Sequence, residues 1–214
     1  MSQSILLSGN GGYVQLTAIG AYYAVQSNET ELYRGTLLRI MQADKSFIIS
    51  DDTLRQYTGL ESSEALAHFY KLEKTGFITA NATQERITDR TLDELLGEAL
   101  RNLSDLGQVI LADSGRGFYL GYSGFSASEA EELAVLSSSI RTIYVKNETL
   151  LRDKLSMKES AFGIINPAGH SELGFWPLFI GSNVFTLIIS GLPQFNRPDF
   201  ARLVWLLVQR YGKL

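Results

Sequence analysis

The sequence predicts an α+β protein built from two modules, and three observations carry that expectation. Some stretches repeat apolar residues at helical spacing, while others are short apolar runs of strand length bounded by Gly, Ser, Asn or Asp. The order of these patterns changes near residue 90. Before it, short helices dominate and a hairpin closes the run; after it, strands and helices read α-β-β-α-β-β-β-α. A length of 214 residues lies above the usual one-domain size and permits two modest cores. The expected division is an N-terminal extended or hairpin segment at 1–27, a helical module at 28–90 and an α/β module at 91–214.

Residues 4–24 read as two extended segments around a turn. Ile5-Leu6-Leu7 leads into Gly9-Asn10-Gly11-Gly12, where positive φ costs little, and residues 13–19 follow. A helix over 18–25 is the alternative for the second half. Asn28 is a candidate cap, with Glu29 and Glu31 in the first turn, for a helix whose apolar stripe is Leu32, Leu37, Leu38 and Met41. Phe47-Ile48-Ile49 is extended. Asp51 or Asp52 caps a brief helix that Gly59 ends. Ser62 or Ser63 starts the next helix, with Ala65, Phe69 and Leu72 inward and Gly76 after its last turn. Residues 77–80 and 86–88 flank a polar turn and predict a hairpin.

In the second module, Leu92, Leu95, Leu96, Leu100, Leu103 and Leu106 keep helical spacing. Residues 108–113 and 118–122 are strands joined by Ser114-Gly115-Arg116-Gly117. Ser126 and Glu129 form a capping box that starts a long helix. Extended segments follow at 161–165, 173–180 and 184–190. Pro177 inside the second of them predicts an edge position or a bulge. Asn196 and Asp199 start a closing helix that reaches Tyr211.

Composition narrows the function classes. The apolar (45%) and charged (20%) fractions are those of a globular chain, and the net charge of −4 argues against a protein whose main role is coating nucleic acid. With no cysteine there is no disulfide, thiolate nucleophile or Cys-type zinc site, which suits a reducing cytoplasm. No secretory signal is expected at Met1-Ser2-Gln3-Ser4, and no apolar run reaches the length of a bilayer span, so a soluble cytoplasmic protein without a membrane partner is expected. The two histidines, His68 and His170, have no second His or Cys to complete a metal site, and both are expected to be solvated or capping. Gly9-Asn10-Gly11-Gly12 lacks the Gly-Lys-Ser/Thr ending of a phosphate loop. No catalytic residue, cofactor or metal is expected, and the chain reads as a non-enzyme.

Two resemblances point further. The order helix, short helix, turn, helix, hairpin over 28–90, with ALAHFYKLEKTGFI at 65–78, resembles a winged helix-turn-helix. The second module, with VILADSGRGFYLGYSGFSASEAEELAVLSSSI at 109–140, resembles the roadblock family of dynein light-chain-like domains, a profilin-like α/β sandwich. That resemblance implies homodimerisation through the sheet and long helix, and partnership with a Ras-like small GTPase. It departs from the family at Thr142-Ile143-Tyr144-Val145, where β-branched and aromatic residues stand in the helix. A sensory domain of the GAF type shares much of the topology and often follows a winged helix in transcription regulators.

The residues add their own indications. On the long helix, Leu133, Leu136, Ile140 and Ile143 face one way and form one stripe. Ala130, Ala134, Ser137 and Arg141 form a second stripe whose mostly small side chains would admit a second copy. The plainer alternative is a helix covering its own sheet with a tight fit. The closing helix is apolar around most of its circumference, so Trp205 and Val208 are expected in a contact beyond the domain, with either the winged helix or another subunit. If the winged helix reads DNA, Ser63, His68 and Lys71 are the candidate contacts. Eight Lys and Arg against ten Asp and Glu over 28–90 leave a net charge of −2, and the wing tip at 81–85 carries no positive charge. The leading expectation is therefore a homodimeric regulatory adaptor that binds protein partners; the alternative is a DNA-binding regulator with a dimerisation or ligand-sensing domain.

Overall fold

The structure, a computed structural model, describes residues 12–86, 92–157 and 161–212. In chain order its first elements are β1 (Tyr13–Leu16), α1 (Ala18–Val25), α2 (Leu32–Met41), β2 (Phe47–Ile48), α3 (Asp51–Thr58), α4 (Ser62–Lys74) and β3 (Ile78–Asn81). There follow α5 (Leu92–Arg101), β4 (Gln108–Asp113), β5 (Phe118–Ser123), α6 (Ala127–Lys146) and a π-helical turn (Thr149–Lys154). Then come β6 (Phe162–Ile165), β7 (Ser171–Ile180), β8 (Asn183–Ser190) and α7 (Pro198–Tyr211). The fold is α+β, with one antiparallel sheet of three strands and one of five.

Contacts divide the chain into two units, Met1–Asp89 with Phe195–Leu214, and Arg90–Gln194. This differs from the division expected from sequence at both ends. Residues 12–27 are not a separate segment: they supply a strand and a helix of the first unit. The closing helix, expected within the second module, packs against α1 and α2 of the first. The reason is local. Trp205 Nε1 donates to the Ala43 carbonyl at 3.0 Å and Gln209 Nε2 to the Met41 carbonyl at 2.9 Å, so α7 closes the carbonyl end of α2.

In the first unit the strand order is β2-β1-β3. β3 pairs with β1, with Leu16 opposite Ile78. Of the second hairpin strand expected at 86–88, Arg86 bridges Lys45, while Ile87 and Thr88 lie outside the described residues. The same holds for the first extended segment at Ile5-Leu6-Leu7 and its turn at Gly9-Asn10-Gly11. Residues 18–25 take the helical alternative. Thr17 caps α1: its Oγ1 accepts from the Gly20 amide at 3.0 Å and donates to the Gly76 carbonyl at 2.6 Å. Gly20 is required by space, because a Cβ there would lie 2.0 Å from the Phe77 carbonyl oxygen. α2 starts at Leu32 rather than at an Asn28 cap, and Ser50 with Thr53, not Asp51 or Asp52, forms the capping box of α3. Gly59, at φ 73°, ends α3 in the left-handed region. Val14, Ala21, Leu37, Met41, Phe69 and Leu72 fill the core.

The second unit has the strand order β5-β4-β8-β7-β6. β4 and β8 are central and buried on both faces, which is why they read as unbroken apolar runs rather than alternating ones. α5 packs on β4 and β5, with Leu96, Leu100 and Leu103 buried and Leu106 exposed; the side chains of Leu92 and Leu95 lie outside the described residues. Ser126 and Glu129 form the expected capping box of α6. β6 pairs with β7 only as far as Phe175, so Pro177 sits where β7 has no described neighbour on that side and loses no ladder bond.

Candidate protein interface

α6 turns its stripe of small residues inward, as in the tight-fit alternative. Ala130, Ala134 and Ser137 are buried, and the two alanines pack into a cluster with Ile110, Ala112, Phe175 and Ile188 of the sheet. The inner strands present bulky side chains, so the helix meets them with small ones; volume has to be conserved across the contact. Arg141 also works inside the unit, its guanidinium 6.0 Å from the centre of the Phe179 ring. Ala130, Ala134 and Ser137 therefore offer no dimer face. The tight fit against the domain's own sheet prevails.

The larger residues divide between the flank of the core and the surface. Leu133 and Ile140 are half-buried at the flank of the cluster, while Leu136 is 40% exposed and Ile143 is 61% exposed. Val135 and Val145 are exposed too. Leu150, in the π-helical turn, and Leu155 and Met157 after it are exposed as well. Tyr144 meets the edge of Phe162 on β6, with ring centres 5.7 Å apart, and ties the helix to that strand. Tyr144, Leu151, Met157 and Phe162 line a hollow between them. Ile164, two residues on, shares the Phe162 face and is 50% exposed; Ile165 is 64% exposed.

β6 is also the last strand of its sheet. One side bonds to β7, and the other presents backbone N–H and C=O groups to no described strand. Exposed apolar side chains beside an open strand edge form a template for another polypeptide. Sequence reasoning missed Val135, Leu136, Ile143, Ile164 and Ile165 as surface groups. The signal available was volume: Ala130 and Ala134, one turn apart, fit a sheet rich in Ile and Phe better than a Leu stripe does.

Comparisons with protein-family models, curated proteins and solved structures return no match.

Trp205, Val208 and the three candidates on α4 fall in the first unit. Trp205 and Val208 are spent within it: the Trp205 indole N–H is bonded to Ala43, and Val208 is fully buried. On α4, Ser63 and Lys71 are exposed but His68 is buried, contrary to the solvated histidine expected. Its ring stacks on Tyr33, 4.5 Å between centres, and Nε2 lies 3.0 Å from Thr36 Oγ1. Thr36 spends its hydroxyl proton on the Leu32 carbonyl, so His68 Nε2 donates. Burial, with the nearby Lys71 charge second, pushes the imidazole pKa below its usual value. The exposed side of α4 instead shows Leu66 and Tyr70 beside Lys71. His170 is exposed in its loop, where its amide donates to Asn166 Oδ1. Arg116, at the β4–β5 tip, lies 3.9 Å from Asp113. Among the described residues no helix is long and apolar enough to cross a membrane.

Proposed function

We propose that the chain is a non-enzymatic regulatory adaptor of the reducing cytoplasm whose second unit pairs with its own copy through β6 and the outer face of α6. The observation that carries this reading is the coincidence of an open strand edge with exposed Ile143, Ile164 and Ile165. Antiparallel pairing of β6 with its copy extends the five-stranded sheet across the dimer and satisfies the free backbone groups. Such an isologous contact brings the same apolar side chains from both copies together and removes them from water. The roadblock resemblance is supported by the element order α5-β4-β5-α6-β6-β7-β8 and by an α6 that covers β4, β5 and β8. A Ras-like small GTPase is the partner class that this resemblance implies.

The winged-helix resemblance draws support from the succession α2, α3, α4, β3. With His68 buried and Leu66 and Tyr70 exposed, α4 favours protein over the phosphate backbone as its contact.

The chain has no cysteine, so single cysteines introduced at Gly163, Ile164 or Ile165 report pairing directly. Oxidation is expected to give a covalent dimer from at least one of the three and none from a cysteine at Ser182, in the β7–β8 turn. Equal cross-linking at all four sites, or none at any, overturns the β6 pairing.

A further inference from the structure

The first unit contains a cleft of about 330 Å³ that the proposed pairing does not use. Its floor is Val14, Ile40 and Met41, one wall is β1 with β3, and the other is the outer side of α7, where Ala201, Arg202 and Trp205 stand. The volume sits at the lower end of small-molecule sites, and the apolar floor with a polar rim is their usual composition.

The walls are fixed. Trp205 cannot swing freely, because its indole N–H is bonded to the Ala43 carbonyl. Ser46 is strapped to Glu85 by three bonds: its amide and its hydroxyl both donate to the Glu85 carbonyl, and the Glu85 amide donates back to Ser46 Oγ. Asn81 donates to the Gln15 carboxamide, which itself reaches the Thr83 carbonyl. A preformed cleft spares its ligand most of the ordering cost of binding.

The charges on the rim are unequal. Lys45 and Arg202 face a single carboxylate, Glu85, which lies 3.8 Å from Arg202 in an exposed ion pair. Lys45 has no carboxylate within ion-pair distance among the described residues. The rim therefore carries an excess positive charge above an apolar floor and an indole ring.

We propose that this cleft binds a small flat aromatic carboxylate. The ring lies over Val14, Ile40 and Met41 against Trp205, and the carboxylate meets Lys45 and Arg202 at the mouth. Arg202 is suited to exchange partners, since an exposed ion pair costs little to open. Lys45 then supplies the charge that Glu85 does not already neutralise.

The test titrates the full chain with 2-naphthoate and, in parallel, with its neutral isostere 2-naphthalenemethanol. The readout is the Trp205 indole N–H resonance, assigned by its persistence in Trp176→Phe. A saturable shift with 2-naphthoate is expected, with the alcohol binding at least roughly tenfold more weakly, the ratio that loss of one charge-assisted contact produces. The double variant Lys45→Met/Arg202→Met is expected to erase that preference for the anion. Both positions are exposed, and an unmoved Trp205 resonance in the free variant shows that the cleft is intact. No saturable shift, an equal response to the two probes, or an unchanged preference in the double variant each overturns the proposal.

Discussion

Replacing Ala134 with leucine separates the two ways of reading α6. Ala134 is fully buried in the cluster formed with Ile110, Ala112, Phe175 and Ile188, where no space remains for three added carbons. Overpacking of this kind costs about 1–3 kcal/mol, because side chains leave their rotamer wells or the helix is displaced from the sheet. With a urea dependence of about 1–3 kcal/mol per molar for a small domain, the unfolding midpoint should fall by roughly 1 M. Leu136→Ala makes the counterpart. Leu136 stands on the outer side, so folding should change by no more than about 0.5 kcal/mol while self-association weakens. Urea unfolding followed by circular dichroism, beside light scattering on the same samples, reads both effects. If Ala134→Leu keeps full stability and loses only association, the helix faces the other way and the reasoning is wrong.

Three further predictions follow from named contacts. Gly20→Ala places a methyl group against the Phe77 carbonyl and should destabilise the first unit by about 1–3 kcal/mol in thermal unfolding, where an unchanged melting temperature would refute the close approach. His68 has a folded-state pKa below its unfolded value of 6.5, so its contribution to stability is complete above that pH and is lost as the pH falls towards the depressed value. His68→Gln keeps a donor to Thr36 without titrating; the stability gap between wild type and variant should therefore change across this window, and parallel pH profiles would contradict the assignment. In low-salt mobility-shift assays, sequence-specific duplex binding at nanomolar concentration is not expected, and its appearance would restore the DNA-reading alternative.

Much of the architecture was legible because its signals are local. The capping box at Ser126 and Glu129, the left-handed Gly59 and the unbroken apolar runs of β4 and β8 each mark one element from a few neighbouring residues. What was not legible depends on contacts between residues distant in sequence. The central position of β1 is decided by its pairing with Phe47 and Ile78–Asn81, which the turn residues before it do not encode. The place of α7 is decided by carbonyls at Met41 and Ala43, so reading along the chain assigned it to the adjacent module. His68 looked solvated because Tyr33 and Thr36, which enclose it, lie a helix away. On α6 the small stripe expected at a dimer face is buried against the unit's own sheet at Ala130, Ala134 and Ser137. Small residues serve equally well against a second helix or a bulky sheet, and only the facing side chains decide.

Sedimentation equilibrium of the wild-type chain from submicromolar to high micromolar concentration, beside the Ile143→Asp/Ile164→Asp variant, tests the central claim most directly. The account predicts a wild-type species of twice the 23.7 kDa chain mass and a variant that stays folded at the single-chain mass. A wild type that remains a single chain throughout, or a variant that still pairs, would contradict it.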